Sequence, residues 1–262
     1  MLKVTKTKME FSNTYVEQLE EVGSHVTPAK FPDPNWLIIS PEVSELIGLD
    51  ESVVQQDDFL AAISGNAQFE RAQPFAQKYT GHQFGHYNPD LGDGRGVLLS
   101  EVKTNSGRWD LHVKGAGQTP YSRFGDGRAV LRSCIREFLA SEALYHLGIS
   151  TSRALGVYTT GESVQRETVE QGAALLRVCE SHIRFGHFEY AFYQQDKDLL
   201  KRLVNYTYDF VLPKQLMEKN KDLNDSEKAF SVLKHAVSST AETVAKWQAF
   251  GFCHGVMNTD NM

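Results

Sequence analysis

The sequence is poor in cysteine and contains no long apolar run. Its 262 residues include three cysteines, widely separated, a pattern that favours neither a disulfide framework nor a zinc cluster. No apolar run approaches the roughly 18 residues that a membrane span needs. The first residues, MLKVTKTKMEFSN, lack the apolar stretch of a secretory signal. These absences predict a soluble cytoplasmic protein.

Positive charge is also in short supply. The chain has 27 Lys and Arg against 33 Asp and Glu, which gives a net charge of −6. This balance argues against a general affinity for nucleic acid or for an anionic membrane. Any site for an anionic ligand must therefore be a local cluster of basic residues. The hydrophobic fraction of 41% is enough for the core of one large domain or two modest ones.

The most informative segment runs from Gly92 to Arg128 and combines glycines with basic residues. It reads GDGRG, then HVKGAG, then RFGDGR. Glycines let backbone N–H groups come close to an anion, and basic side chains supply the opposing charge. A hairpin needs only one glycine, whereas this tract also brings Arg95, Lys114 and Arg123. We therefore predict a nucleotide site.

Hydrophobic periodicity predicts an α+β fold, with an antiparallel sheet, one packed helix and then a mostly helical region beyond Phe185. The predicted strands are Trp36–Ile39, Gly96–Thr104, Arg108–Lys114, Arg153–Thr159 and Ala173–Cys179. The predicted helices are one that begins at Pro41 with Ser40 as its N-cap, Ala129–Leu147, Lys197–Phe210 and Glu227–Phe250. Lys114 thus lies at the end of a strand.

Lys114 and Glu137 form the first candidate pair. A lysine on a strand, followed 23 residues later by a glutamate on the packed helix, is the arrangement by which protein kinases direct an ammonium group at nucleotide phosphates. The alternative is that Glu137 is a solvated helix residue and Lys114 a strand-end charge. Spacing leaves both interpretations open.

Two arginines in LLRVCESHIRFGHF form the second candidate group. Arg177 lies in an apolar run, where an unpaired guanidinium would be costly to desolvate, so it must meet an acid or an anion. A structural salt bridge is the alternative. Arg184 lies in a turn-like stretch before Gly186, where it would have room to face a phosphate.

Asp260 and Asn261 follow the long predicted helix in a loop. This pair is similar to a compressed catalytic loop, in which an aspartate takes a hydroxyl proton and an asparagine holds a divalent metal. The alternative is an ordinary turn. His82 and His86 could chelate a metal on a helix, but the glycines beside them argue against that helix and favour a structural or site-lining role.

Four long strings resemble the selenoprotein O family of pseudokinase-like proteins, and the resemblance extends from about Asn35 onward. They are YTGHQFGHYNPDLGDGRG, HVKGAGQTPYSRFGDGRAVLRS, SHIRFGHFE and GFCHGVMNTDNM. The resemblance implies a protein-kinase-like fold in which ATP lies reversed. AMP, rather than the terminal phosphoryl group, would then pass to Ser, Thr or Tyr hydroxyls of protein substrates. It also implies Mg²⁺, with Mn²⁺ as the alternative cofactor.

The same resemblance implies regions and residue roles. Residues 1–90 would be an extension, 91–185 a kinase-like nucleotide-binding lobe and 186–262 the start of a helical lobe. Nucleotide would be bound by Gly92, Gly94, Arg95, Asp126 and Gly127, with its phosphates held by Lys114, Arg177 and Arg184. Glu137 would orient the lysine, Asp260 would accept the proton and Asn261 would bind magnesium.

The sequence departs from the family pattern in one respect. Family members continue to a second metal-binding aspartate in a DYGP-like segment, which is absent from these 262 residues. We therefore expect an incomplete fragment with weak nucleotide binding and little or no transfer activity. The alternatives are a uridylyltransferase that uses UTP, an ordinary kinase and a non-catalytic nucleotide-binding pseudokinase module.

Overall fold

The fold is described from a computed structural model, which covers residues 3–5, 9–219 and 223–262. The strands are β1 (Lys3–Thr5), β2 (Glu10–Ser12), β3 (Gly23–His25), β4 (Asn35–Ile39), β5 (Ala67–Phe69), β6 (Phe75–Gln77), β7 (Gly81–Gln83), β8 (His86–Asn88), β9 (Gly96–Lys103), β10 (Arg108–Lys114), β11 (Ala129–Val130), β12 (Arg153–Gln165) and β13 (Val169–Cys179). The helices are α1 (Thr14–Leu19), α2 (Pro41–Leu46), α3 (Glu51–Val54), α4 (Asp57–Ile63), α5 (Leu131–His146), α6 (Phe185–Tyr193), α7 (Lys197–Phe210), α8 (Lys214–Lys219) and α9 (Asp225–Phe250).

The chain divides into two compact units. The first contains the described residues of Met1–Val16, Gly23–Lys78 and Gly92–His182, and the second contains Glu17–Val22, Tyr79–Leu91 and the described residues of Ile183–Met262. The predicted boundaries after residues 90 and 185 stay predictions.

A large sheet organises the first unit. Among the described residues its main path runs β3-β6-β9-β10-β13-β12-β4, with β2 added beside β9 and β11 beside β13, and each of these pairings is antiparallel. The predicted antiparallel sheet with a packed helix is confirmed. The β9–β10 hairpin follows the prediction closely, because its polar turn separates two strand-forming runs.

The two faces of this sheet have separate cores. Leu111 and Val113 of β10 belong to the larger core, together with residues of α2, α3 and α4. Ala173 and Leu175 of β13 belong to a smaller core under α5. Side chains alternate between the faces of a strand, so the polar residues of β10 lie on the α5 side.

Several element boundaries differ from the predictions. Strand β12 ends later than predicted, at Gln165, and strand β13 begins earlier, at Val169. The pairing continues past Gly161 because the register of the two strands shifts between Thr159 and Ser163. Helix α5 begins at Leu131 because the two residues before it pair with β13 as β11. Tertiary pairing, which local periodicity does not report, decides these boundaries.

Helices α6, α7 and α9 dominate the second unit, and α7 packs on α9. Helix α9 begins at Asp225, two residues before the predicted start. The Asn224 side chain accepts hydrogen bonds from the N–H groups of Ser226 and Glu227, and the Glu227 carboxylate accepts one from the Asn224 N–H. This capping box satisfies N–H groups that the first turn leaves unpaired. No helix in the described part of the chain combines the length and apolarity of a membrane span.

Candidate functional site

A row of polar side chains crosses the α5-facing side of the sheet. In the β10–β13 register Lys114 lies opposite Leu175, and His112 lies opposite Arg177. Residues directly opposite each other share a face of the sheet. The register therefore places Lys114 and Arg177 on the face that α5 covers.

Helix α5 brings Glu137 onto this row. Its buried residues Cys134, Phe138 and Ser141 define the stripe that faces the sheet, and Glu137 lies on the same stripe. The Arg177 Nε donates a hydrogen bond to Glu137 Oε1 at 2.5 Å, and the Lys114 Nζ donates one to Oε2. The predicted proximity of Lys114 and Glu137 is thus confirmed, and the solvated-helix alternative for Glu137 is wrong.

The two cations keep Glu137 ionised. Burial alone would raise the pKa of this carboxyl, but the charges and hydrogen bonds of Arg177 and Lys114 outweigh burial and lower the pKa to about 2. Burial opposes the charge of Arg177 as well, and Glu137 outweighs it, so the pKa of Arg177 is raised. Lys114, Arg177 and Glu137 thus form a trio of two cations and one anion, with a net charge of +1.

The lowered pKa of Glu137 predicts that the free energy of unfolding depends on pH. The folded pKa of about 2 lies below the ordinary 4.5, so the stabilisation is complete above pH 4.5 and is lost as the pH falls towards 2. With the Glu137 side chain 25% exposed, we expect Glu137→Gln to lower the free energy of unfolding by about 3 kcal/mol at neutral pH. The difference from the wild type should shrink near pH 2. Urea unfolding at several pH values measures it.

The exposed Glu45, for which no side-chain hydrogen bond is seen in the described part of the chain, offers a matched control. Glu45→Gln should change the unfolding free energy by less than about 0.5 kcal/mol at any of these pH values. Equal stability of Glu137→Gln and wild type at pH 7 would contradict the pairing.

The GDGRG loop reaches the same end of the sheet as Lys114. Lys114 pairs with Gly96 across the hairpin, and the Gly115 N–H donates to the Arg95 carbonyl at 2.6 Å. The Arg95 side chain is exposed and makes no hydrogen bond or ion pair with any residue that the structure describes. The first unit therefore brings Arg95 close in the fold to the trio.

Asp93 anchors this loop from within, between the predicted nucleotide-binding Gly92 and Gly94. Its carboxylate accepts a hydrogen bond from the Gln77 backbone N–H at 3.2 Å and lies 3.2 Å from His112 Nε2. Sequence reasoning missed both Asp93 and His112. For Asp93, the signal present in the sequence was an acidic residue between two glycines.

The second glycine loop contains Asp126 and Gly127. The Asp126 carboxylate binds the Arg166 guanidinium at 2.7 and 3.0 Å, and these hydrogen bonds lower the pKa of Asp126. Gly127 has φ +69°, and a Cβ here would lie 2.1 Å from the carbonyl carbon of Gly117. The positive φ and the close approach of Gly117 are enough to explain a glycine at this position. Nucleotide contact by Asp126 and Gly127 stays a prediction.

In the second unit, Arg184 and Asp260 are in contact. The Arg184 Nη1 donates to the Asp260 carbonyl at 2.8 Å and to the Tyr79 hydroxyl at 2.9 Å, and the guanidinium lies 4.4 Å from the centre of the Tyr79 ring. The observed contacts of Arg184 thus hold the backbone at Asp260. The predicted contact of Arg184 with phosphate remains untested.

Asp260 is 8% exposed, and only one of its two carboxylate oxygens accepts a hydrogen bond from a described residue. Gln83 Nε2 donates to its Oδ2 at 3.1 Å. The other oxygen, Oδ1, is buried and has no hydrogen-bond partner among the described residues. Close approach is allowed by Gly81, where a Cβ would lie 2.8 Å from the Asp260 Cβ. A buried carboxylate oxygen without a donor is poised to accept a proton or to bind a cation.

The residues beside Asp260 fix the loop. Thr259 Oγ1 accepts a hydrogen bond from the His82 N–H and donates one to Glu189 Oε2, both at 2.8 Å. The amide of Asn261 donates to the Val256 carbonyl at 3.3 Å, which uses its nitrogen and leaves its oxygen as the acceptor end. Asp260 and Asn261 therefore lie in a loop held by side-chain contacts.

The family model described as Protein adenylyltransferase SelO matches residues 5–262. The chain belongs to this family. Similar proteins include two named Protein nucleotidyltransferase YdiU, one from Photobacterium profundum and one from Pseudoalteromonas atlantica. The first is 47% identical and the second 48%, over 98% and 97% of this chain and 52% of each relative.

A third relative, a Protein nucleotidyltransferase YdiU of Pseudomonas putida, is 47% identical over 97% of this chain and 51% of its own length. The chain thus spans about half the length of the curated relatives it matches. The predicted resemblance to the selenoprotein O family is confirmed. The match does not test the expected loss of activity, which stays a prediction.

His82 and His86 of this SelO-family chain lie on β7 and β8, two strands of a hairpin, so the helix that joint metal chelation required is absent. His82 Nδ1 lies 2.9 Å from Glu189 Oε1, and both residues make hydrogen bonds to Thr259 beside Asp260. Sequence reasoning missed Gln83, Glu189 and Thr259. The string TGHQFG contains Gln83, but nothing in the string reveals its partner.

Proposed function

We propose that this chain is a protein adenylyltransferase, which moves AMP from ATP to the hydroxyl of a Ser, Thr or Tyr in a protein substrate. The observation that carries the proposal is the convergence of Lys114 and Arg177 on the single carboxylate of Glu137. One cation would neutralise that carboxylate. The second supplies the excess positive charge that a polyphosphate requires.

The neighbouring loop supports a phosphate site. Arg95 and the glycines on either side of Asp93 lie at the Lys114 end of the hairpin, where backbone N–H groups and a further guanidinium are available to an anion. Membership of the SelO family agrees with this assignment, and the names of the relatives add nucleotidyl transfer to proteins. A protein-kinase-like fold is part of the same proposal.

In the proposed reaction the hydroxyl oxygen forms a bond to the α-phosphorus of ATP. The bond from that phosphorus to the oxygen that bridges to the β-phosphorus breaks, and pyrophosphate leaves with the bond electrons. The hydroxyl proton passes to the Asp260 carboxylate, whose buried Oδ1 has no other donor among the described residues. Gln83 holds Oδ2 and so fixes the orientation of the carboxylate.

The Asn261 side chain suits a magnesium ion, with manganese as the alternative. Its amide nitrogen donates to the Val256 carbonyl, which leaves the amide oxygen, a hard donor of the kind that these cations prefer. When bound, the ion would neutralise charge on phosphate oxygens. We assign the remaining phosphate contact to Arg184, whose guanidinium already lies at the Asp260 loop.

Labelled nucleotides test the function. The full chain, Mg²⁺ and a protein acceptor are incubated with ATP labelled at either the α- or the γ-phosphorus, and with UTP labelled at the α-phosphorus. We expect label to reach protein from α-labelled ATP alone. Transfer from γ-labelled ATP would indicate a kinase, and preferential transfer from UTP a uridylyltransferase. ATP binding without any transfer would indicate a non-catalytic module, and each of these results would overturn the proposal.

A further inference from the structure

The polar row of the sheet has a second cluster at its opposite end. In the β10–β13 register Asp110 lies directly opposite Cys179, so these two side chains share the face that carries Lys114 and Arg177. The chain then turns after β13, and the His182 N–H donates to Asp110 Oδ2 at 2.9 Å. Three different metal-ligating side chains therefore meet at one point of the first unit.

Their distances match those of a zinc site. Cys179 Sγ lies 3.4 Å from His182 Nδ1, and Asp110 Oδ2 lies 3.0 Å from the same nitrogen. One ligand atom from each residue lies within 4.8 Å of the others. A tetrahedral zinc ion with bonds of about 2.3 Å to sulfur and about 2.0 Å to nitrogen places those two atoms about 3.5 Å apart.

Burial separates this cluster from an ordinary group of surface acids. Asp110 is 3% exposed and His182 is 8% exposed, whereas Cys179 is half-buried. Two of the ligands are thus buried, and the third is partly accessible to solvent. The mixture of sulfur, nitrogen and oxygen donors suits zinc and not magnesium, which prefers oxygen alone.

We propose that Asp110, Cys179 and His182 bind a zinc ion. Three protein ligands leave one coordination position for a water molecule. Binding releases the thiol proton of Cys179, and the neutral imidazole of His182 binds through Nδ1 with its proton on Nε2, because each ligand must be deprotonated at the atom that binds. The ion would tie the end of β13 to the start of β10. This site uses none of the proposed magnesium ligands and does not depend on the proposed function.

Metal binding tests the proposal directly. The full chain is freed of metal with a chelator and titrated with Zn²⁺ in competition with a chromophoric chelator. We expect one zinc ion per chain with a Kd below about 1 µM, and a higher melting temperature with the ion. Cobalt substituted for zinc should give a thiolate-to-metal charge-transfer absorption.

Cys179→Ser should weaken zinc binding by about 10-fold or more and remove the cobalt–thiolate absorption. Cys253→Ser, at an exposed cysteine, is the matched control and should change neither. Cys179→Ala serves as a second variant, and circular dichroism of the metal-free proteins checks that all three fold. Absence of stoichiometric zinc binding, or binding that survives both Cys179 variants, would overturn the site and leave a network of hydrogen bonds only.

Discussion

Replacing Asp260 with asparagine is expected to reduce AMP transfer by about 10²- to 10⁴-fold, the range that a positioned general base contributes. The amide has nearly the shape of the carboxylate, and its oxygen can still accept the hydrogen bond from Gln83 Nε2. The Arg184 contact goes to the backbone carbonyl and is also kept. The substitution therefore removes the basic oxygen and leaves the contacts of the loop in place.

The measurement is the initial rate of label transfer from α-labelled ATP, with ATP affinity determined in parallel. Asp209→Asn is the matched control, because Asp209 is an exposed aspartate in the same unit that pairs with Lys228. It should transfer at the wild-type rate. A wild-type rate for Asp260→Asn would show that the proton goes elsewhere, whereas loss of transfer in both variants would indicate damage to the fold.

Replacing Lys114 with methionine is expected to weaken ATP binding by about 10- to 100-fold. A hydrogen bond to a charged group contributes about 1.5–3 kcal/mol, and each 1.4 kcal/mol is tenfold in affinity. Methionine retains most of the apolar stem of this buried side chain, and Glu137 keeps Arg177 as its partner. The variant should therefore fold while losing one of the two cations.

Calorimetric titration with ATP and Mg²⁺ measures the effect. Lys103 supplies the control, because it is an exposed lysine on the adjacent strand β9. Lys103→Met should bind ATP like the wild type. Unchanged affinity in Lys114→Met would remove the trio from the phosphate site, and equal losses in both variants would mean that only the general charge of the surface matters.

Local physics explains why much of the fold was predictable. The polar turn Asn105–Gly107 separates two strand-forming runs, and Ser40 accepts a hydrogen bond from the Val43 N–H at the start of α2, as its N-cap position predicts. Helix α7 has the predicted bounds Lys197–Phe210. In each case residues a few positions apart carry the whole signal, so no knowledge of the packing is needed.

The candidate site was predictable where it depends on short separations. Lys114 and Glu137 are 23 residues apart, on a strand and on the helix packed against it, so their contact was one of the two interpretations that the sequence offered. Arg177 could be expected to meet an acid because it lies in an apolar strand. The identity of that acid as Glu137, 40 residues away, required the structure.

The sequence by itself determined the long strands and helices of the sheet and of the helical region, the two faces of β10 and the residues that carry the family resemblance. Only the tertiary structure decided which distant side chains meet: His112 with Asp93, Gln83 with Asp260, and His182 with Asp110, at separations of 19, 177 and 72 residues. Hydrophobic periodicity fixes the face on which a side chain lies. Its partner across a strand or a loop depends on register and packing, which many residues set together.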